Sequence, residues 1–232
     1  MKELRIAVCT TFPDDSWPVY SKRMLESFVA NWPDEIPILV QLDTPSLSEE
    51  VNKILRPHDG LKSGWEKDHA EFVERNKDRD DPQDYRKQAV RFCHKVFALK
   101  YALNSVNAAN AAGATDTPRY LIWFDADVLT TRKVTIEDIQ KCLPREGDAV
   151  AYMGRKDWDH SECGWLAFDL ENGGAELIDA IIQPYLKETL FDYQQYHDSW
   201  VFDIITKFID KKTNLTPNAT GMEVWPQSPM AA

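Results

Sequence analysis

No run of apolar residues in this 232-residue chain approaches the roughly 20 that a membrane-crossing helix needs, so a helical membrane span is not expected. Cysteine is also scarce. Cys9, Cys93, Cys142 and Cys163 stand far apart and form no C-x-x-C pair, which speaks against a zinc site or a disulfide framework and for buried thiols. Basic charge falls short of acidic charge, 27 Lys and Arg against 38 Asp and Glu. The resulting net −11 has the wrong sign for a protein that embraces nucleic acid over a broad surface. Tandem repeats are absent. The opening MKELRIAVCTTF reaches a strand-like segment within a few residues and leaves no room for a signal peptide's apolar core and cleavage site. A cytoplasmic location is therefore expected, and the sequons at Asn214 and Asn218 carry no weight there.

The composition that remains, 43% hydrophobic and 28% charged, is ordinary for a globular enzyme, and the length suits one domain over residues 1–232 with a full core. Within it, RYLIWFDADVLTT (119–131) is the most informative stretch. Tyr120 to Phe124 have the length and the β-branched and aromatic content of a buried strand, and the run ends directly in Asp125 and Asp127. Open α/β sheets place their ligand crevice at the carboxyl ends of strands. Two carboxylates converging there repel each other unless a cation or a proton lies between them, and a divalent metal is the natural candidate. Asp-x-Asp by itself also occurs in solvated turns.

Elsewhere LRIAVCTTF (4–12) reads as a first strand. A helix opened by Pro18 follows, with Val19, Met24, Leu25, Phe28 and Val29 at helical spacing, and then a second strand, IPILVQLD, ending at Asp43. This β-α-β start favours a parallel sheet. Residues 56–86 are dense in mixed charge and read as an exposed insertion, with a helix from about Gly64 to Arg79, either a mobile lobe near the site or a surface loop. Lys87 to Val106 form a helix whose apolar face carries Phe92, Val96, Leu99 and Leu103, and NAANAAGATDTP ends it. Its basic stripe, Lys87, Arg91 and Lys95, is either a solvated face or a contact for phosphate oxygens beside a metal. Thr135 is a candidate N-cap for a short helix. DAVAYMG and GWLAFDL read as strands, with ENGG as a turn. The helix AELIDAIIQPYLKETL must be kinked or broken at Pro184. HDSWVFDIITKF starts a last helix, with Asp198 or Ser199 near its N-terminus, before a turn-rich tail that ends abruptly in VWPQSPMAA.

RIAVCTTF, RFCHKVFALKYAL, YLIWFDADV, ECGWLAFDL and HDSWVFD, in that order, resemble the nucleotide-diphospho-sugar glycosyltransferases of GT-A fold, although only WFDAD is a specific motif. The resemblance implies an α/β fold with a mixed, mostly parallel central sheet flanked by helices. It also implies transfer of a sugar from a nucleoside-diphosphate donor, a UDP-sugar as first expectation, to a carbohydrate or other hydroxyl. Asp125 and Asp127 would hold Mn2+ or Mg2+ against the diphosphate, Thr10, Thr11 and Asp43 would line the nucleoside pocket, and Lys95 and Arg91 would approach the donor phosphates. On the acceptor side, Glu162 and Asp198 are candidate catalytic carboxylates, and Gly164 permits close approach of a ligand. Trp165 is either a flat face for a sugar ring or a core residue. His197 stands beside Asp198 as a further candidate acceptor contact or a packed histidine, and His160 reads as a surface loop residue.

The family commonly supplies a histidine near its carboxyl end as a third metal ligand, yet no histidine follows His197, so His197, water or the donor would complete the shell, or the tail is truncated. A sugar nucleotidyltransferase is the competing enzyme, but TTFPDDSWP after the first strand has neither the glycine nor the basic residue of a phosphate loop. A sugar- or nucleotide-binding protein without turnover is the non-enzyme alternative. A nucleic-acid acceptor is disfavoured by the net charge, with Lys87, Arg91 and Lys95 as the local stripe that could serve one.

Overall fold

The structure, a computed structural model, describes residues 4–221 and 224–230; residues 222, 223, 231 and 232 of the turn-rich tail lie outside the described residues. The first half of the chain forms β1 (Ile6–Phe12), α1 (Lys22–Asn31), β2 (Ile38–Leu42), α2 (Ser48–Asn52), β3 (Gly60–Ser63), α3 (Lys67–Asn76), α4 (Ala89–Ala111) and β4 (Tyr120–Phe124). The second half forms α5 (Ile136–Gln140), β5 (Val150–Met153), β6 (Glu162–Asp169), α6 (Gly174–Leu186), α7 (Asp198–Thr206) and β7 (Lys212–Asn214). The strands make one seven-stranded sheet in the order β3-β2-β1-β4-β6-β5-β7. Only β6 runs against the others, pairing antiparallel with β4 and β5.

Strand alternation splits the core into two layers, because successive side chains point to opposite faces. Ile6, Val8, Ile122, Phe124, Trp165 and Ala167 join Met24, Leu25 and Phe28 of α1 on one face. Ala7, Cys9, Leu121, Trp123, Leu166 and Phe168 meet α4, α6 and α7 on the other. The continuous apolar character of β1 and β4 follows from burial on both sides, as expected for inner strands of a largely parallel sheet.

Several expectations need adjusting. The charged stretch 56–86 is not wholly an insertion, since Gly60–Ser63 pairs with β2 as an edge strand too short and polar to show in the sequence. The helix expected from Lys87 starts at Ala89 and runs on to Ala111, through the alanine-rich segment expected to end it. Its start is set at long range: Asp80 accepts hydrogen bonds from the backbone N–H groups of Val90 (2.9 Å) and Arg91 (3.0 Å). Lys87 lies before the helix and donates to the Gln194 carbonyl at 2.6 Å, so the three-residue basic stripe does not exist as a helix face. Thr135 caps α5 as read, in a reciprocal pair with Asp138. Pro184 sits inside α6, two residues before its end. α7 starts at Asp198, near which its N-terminus was read, with His197 as its N-cap.

At the far end of the β4–β6 pair, Arg119 binds the buried Asp169 carboxylate at 2.6 Å, and Asn172 donates to it at 2.7 Å. Burial pushes this carboxyl up, but the Arg119 guanidinium and these hydrogen bonds outweigh it and hold Asp169 below the usual carboxylate range. Its contribution is therefore present above the ordinary aspartate value and is lost as pH falls through the folded value. Asp169→Asn is expected to cost roughly 1.5–3 kcal/mol in urea unfolding at pH 7. The gap between wild type and variant should narrow as the medium is acidified below pH 4, and a gap that stays constant would disprove the linkage.

Candidate active site

β4 ends at Phe124, and the chain turns so that Asp125 and Asp127 face a cavity of about 480 Å³ at the carboxyl edge of the sheet. Because β6 runs antiparallel, its amino end reaches the same edge. Phe124 pairs with Trp165, and the Asp125 N–H donates to the Gly164 carbonyl at 3.0 Å. Glu162, Cys163 and Gly164 thus form the opposite wall, with Thr11, Phe12 and Pro13 from the end of β1, Arg91, Phe92, His94 and Lys95 from α4 and Asp198 from the start of α7 around it.

Lys95 is the centre of this arrangement. Its buried ammonium lies 2.7 Å from Asp198 Oδ2 and 3.2 Å from Asp125 Oδ1, and it also donates to the Cys163 carbonyl, so all three of its N–H groups are used. The Trp123 ring lies under it at 5.1 Å, and the Trp123 indole N–H donates to Asp125 Oδ1. Burial would pull the Lys95 pKa down, but Asp125 and Asp198 hold it above the usual lysine range. Burial pushes Asp125 up to about 6 despite Lys95. Asp198 is also pushed up by burial, yet the Lys95 ion pair and hydrogen bond win and keep it below the usual range.

Glu162 is pinned twice. One carboxylate oxygen accepts the Gly164 N–H at 2.8 Å, and the other is paired with the buried Arg155 guanidinium. Space at Gly164 is tight, so a larger residue would press its neighbours aside. A Cβ there would stand 3.0 Å from Glu162 Oε1, 3.2 Å from the Trp225 ring and 3.3 Å from Asp125 Oδ2.

Of the residues singled out in the sequence, the fold brings Asp125, Asp127, Lys95, Arg91, Thr11, Glu162 and Asp198 to one cavity. Thr11 donates to the Gln41 carbonyl at 2.9 Å, and Arg91 to Gln88 Oε1 at 3.0 Å. Thr10 is fully buried and does not face the cavity. Asp43 also stands outside the lining, taking a hydrogen bond from the Trp65 indole at 3.0 Å. Two expected acceptor contacts are corrected. Trp165 is 1% exposed and packs among Trp32 and Phe124 in the core, because its place in β6 turns it away from the cavity. His197 is 2% exposed, with its Nδ1 accepting the Trp200 N–H as the α7 cap. Its imidazole is lowered to about 4 by burial, so it stays neutral. Phe92, read as core, lines the cavity, as do Tyr20 and His94. Phe92 and Arg91 precede Lys95 by three and four residues, and this shared helix face was the available signal.

No protein-family model and no curated protein matches the chain. Its fold is nevertheless shared with solved glycosyltransferases. The apo form of the glycosyltransferase GlyE of Streptococcus pneumoniae TIGR4 aligns with a TM-score of 0.56 at 12% identity, over 91% of this chain and 45% of that one. A further GlyE structure gives 0.51 at 12% identity, over 92% and 45%. The apo bifunctional glycosyltransferase WbbM gives 0.52 at 9% identity, over 97% and 42%. The chain spans less than half the length of these chains, and its seven-stranded mixed sheet flanked by helices is similar to part of each of them.

Proposed function

We propose that the cavity is the active site of a GT-A-type glycosyltransferase that takes a sugar from a nucleoside-diphosphate donor, UDP-sugars first, and passes it to a hydroxyl acceptor. The observation that carries this reading is the pair Asp125 and Asp127 at a strand end, Asp125 joined to Asp198 through the Lys95 ammonium, in a cavity large enough for a ligand.

The residues present fit a divalent cation. Asp125 Oδ1 is committed to Lys95 and Trp123, whereas Oδ2 lies 3.3 Å from the place that a side chain at position 164 would fill. Asp127 is exposed on the cavity wall, so hard carboxylate oxygens border an open space, the donor set that Mg2+ and Mn2+ prefer. Such an ion would supply positive charge to the diphosphate as it leaves. The protein's own groups do the rest. Lys95 fixes the Asp125 carboxylate and holds Asp198 ionised, Arg91 offers a guanidinium to phosphate oxygens, and Asp198 stands as the negative charge facing the sugar as its bond to the diphosphate breaks. Because Lys95 already occupies Asp198 at 2.7 Å, Asp198 is a weak base, and an electrostatic role suits it better than proton abstraction.

The test is thermal unfolding with UDP, GDP, CDP and dTDP, each with and without Mn2+, on wild type and on the Asp125→Asn, Asp127→Asn double variant. One nucleotide is expected to stabilise only with the ion, by roughly 2.7 kcal/mol at about 100 times its dissociation constant, and the double variant should lose this. Stabilisation without the ion would remove the metal, no stabilisation would remove the donor site, and binding without sugar transfer would leave a binding protein.

Lys95→Met should lower transfer about 100-fold or more, roughly 2.7 kcal/mol or more in activation free energy, since it removes a preorganised cation from the site. It should also lower the melting temperature, because Asp198 is left buried without its partner. Rates are to be compared at a temperature where both forms are folded, and an unchanged turnover number would disprove the role.

A further inference from the structure

Scattered cysteines spoke against a zinc site, but the fold gathers one of them with two histidines. His69 of α3 reaches across to α4, where its Nε2 lies 3.1 Å from His94 Nδ1. Cys93 precedes His94, and one ligand atom from each of the three residues lies within 4.8 Å of the others. Asp43, at the end of β2, places Oδ1 3.7 Å from the same His94 Nδ1. Tetrahedral zinc with bonds of about 2.0–2.3 Å needs ligand atoms about 3.3–3.8 Å apart, so small side-chain rotations suffice.

His69 and Cys93 are shut off from solvent, while His94 opens on the cavity wall. His69 is 2% exposed, lies flat against Phe97 at 4.5 Å between ring centres, and stacks on Trp65 at 4.7 Å. The two imidazoles bring His69 Nε2 and His94 Nδ1 to 3.1 Å, edge to edge in a buried space, which is the approach two histidine ligands of one ion would make. α3 is held on α4 and α6 mainly through Phe72, packed among Phe97, Tyr185 and Phe191. α3 belongs to the charged stretch, and only His69, Phe72 and Asn76 of its residues are buried. A bond from α3 to α4 would hold it against the fold.

We propose that His69, Cys93 and His94, with Asp43 completing the shell, bind one zinc ion that fastens α3 to α4. Binding releases the Cys93 thiol proton to solvent, and no redox change is involved. The soft nitrogen and sulfur donors separate this site from the hard oxygens at Asp125, although His94 also borders the same cavity, and the zinc proposal does not depend on which ligand that cavity takes.

The test uses the full chain, stripped with a chelator and titrated with Zn2+, and separately with Co2+ as the spectroscopic probe. One equivalent of Zn2+ is expected to bind, and Co2+ should give tetrahedral visible bands with a thiolate charge-transfer band in the near ultraviolet. Cys93→Ser should lose the charge-transfer band, and His69→Gln should weaken Zn2+ binding at least tenfold, whereas Asp125→Asn should do neither. Circular dichroism establishes that each variant is folded. For wild type alone, Zn2+ should protect the segment between residues 64 and 88 from limited proteolysis. A Co2+ spectrum without the thiolate band, Zn2+ affinity unchanged in folded His69→Gln, or proteolysis indifferent to Zn2+ would each overturn the proposal.

Discussion

One buried ammonium holds this edge of the molecule together. Lys95 comes from α4, Asp125 from the end of β4, the Cys163 carbonyl from β6 and Asp198 from the start of α7, and a single nitrogen touches all of the last three. A charge removed from water must be paired and fully hydrogen-bonded to be tolerated, so the arrangement is close to all-or-none. Shifting any of the four elements by an ångström would strand either the cation or a carboxylate. The position of Lys95 is set in turn by α4, whose start is fixed by Asp80 and whose length runs against β1 and α6. The polar site is therefore a consequence of helix packing as much as of the residues that line it.

The reversed strand matters equally. Were β6 parallel to β4, its amino end would fall at the opposite edge of the sheet, roughly 25 Å away for a strand of its length. Running antiparallel, it delivers Glu162 and Gly164 directly beside Asp125. The small glycine and the bound glutamate then shape the wall: Glu162 is neutralised by Arg155, and the missing Cβ leaves Asp125 Oδ2 open on that side. An isolated reversal of direction thus converts a sheet edge that would offer strand-end side chains from one direction into a two-walled cleft.

Much of this was legible in the sequence, and the parts that were not have definite causes. β1, β4, the long helix and the acids at the strand end could be read because apolar periodicity and its abrupt end are local signals. Gly164 and Trp165 were both visible as candidates, but neighbouring strand residues point to opposite faces, and which of them looks into the cleft depends on register with β4. Trp165 fell on the core side. Lys87, Arg91 and Lys95 share helical spacing, yet the cap supplied by Asp80 starts the helix after Lys87, so only part of the stripe is real. β3 and β7 are short and polar and exist through pairing at the sheet's flanks, which no local pattern announces. Cys93 and His94 drew no attention as ligands because their companion, His69, is 24 residues before Cys93 on a different helix.

The charge pattern of the cleft links its geometry to the proposed donor. Asp125, Asp127, Glu162 and Asp198 face or border the cavity, while the cations within reach are Lys95, Arg91 and, behind Glu162, Arg155. Arg155 is consumed by Glu162, and Lys95 is shared between Asp125 and Asp198. What remains against an incoming diphosphate is carboxylate in excess, opposed among the described residues lining the cavity by Arg91, so a polyanion arriving by itself would be repelled. A divalent ion reverses that balance at the one place where carboxylate oxygens stay open. On this reading the acidity of the cleft is the condition for holding the cation, and the cation would in turn favour the donor diphosphate.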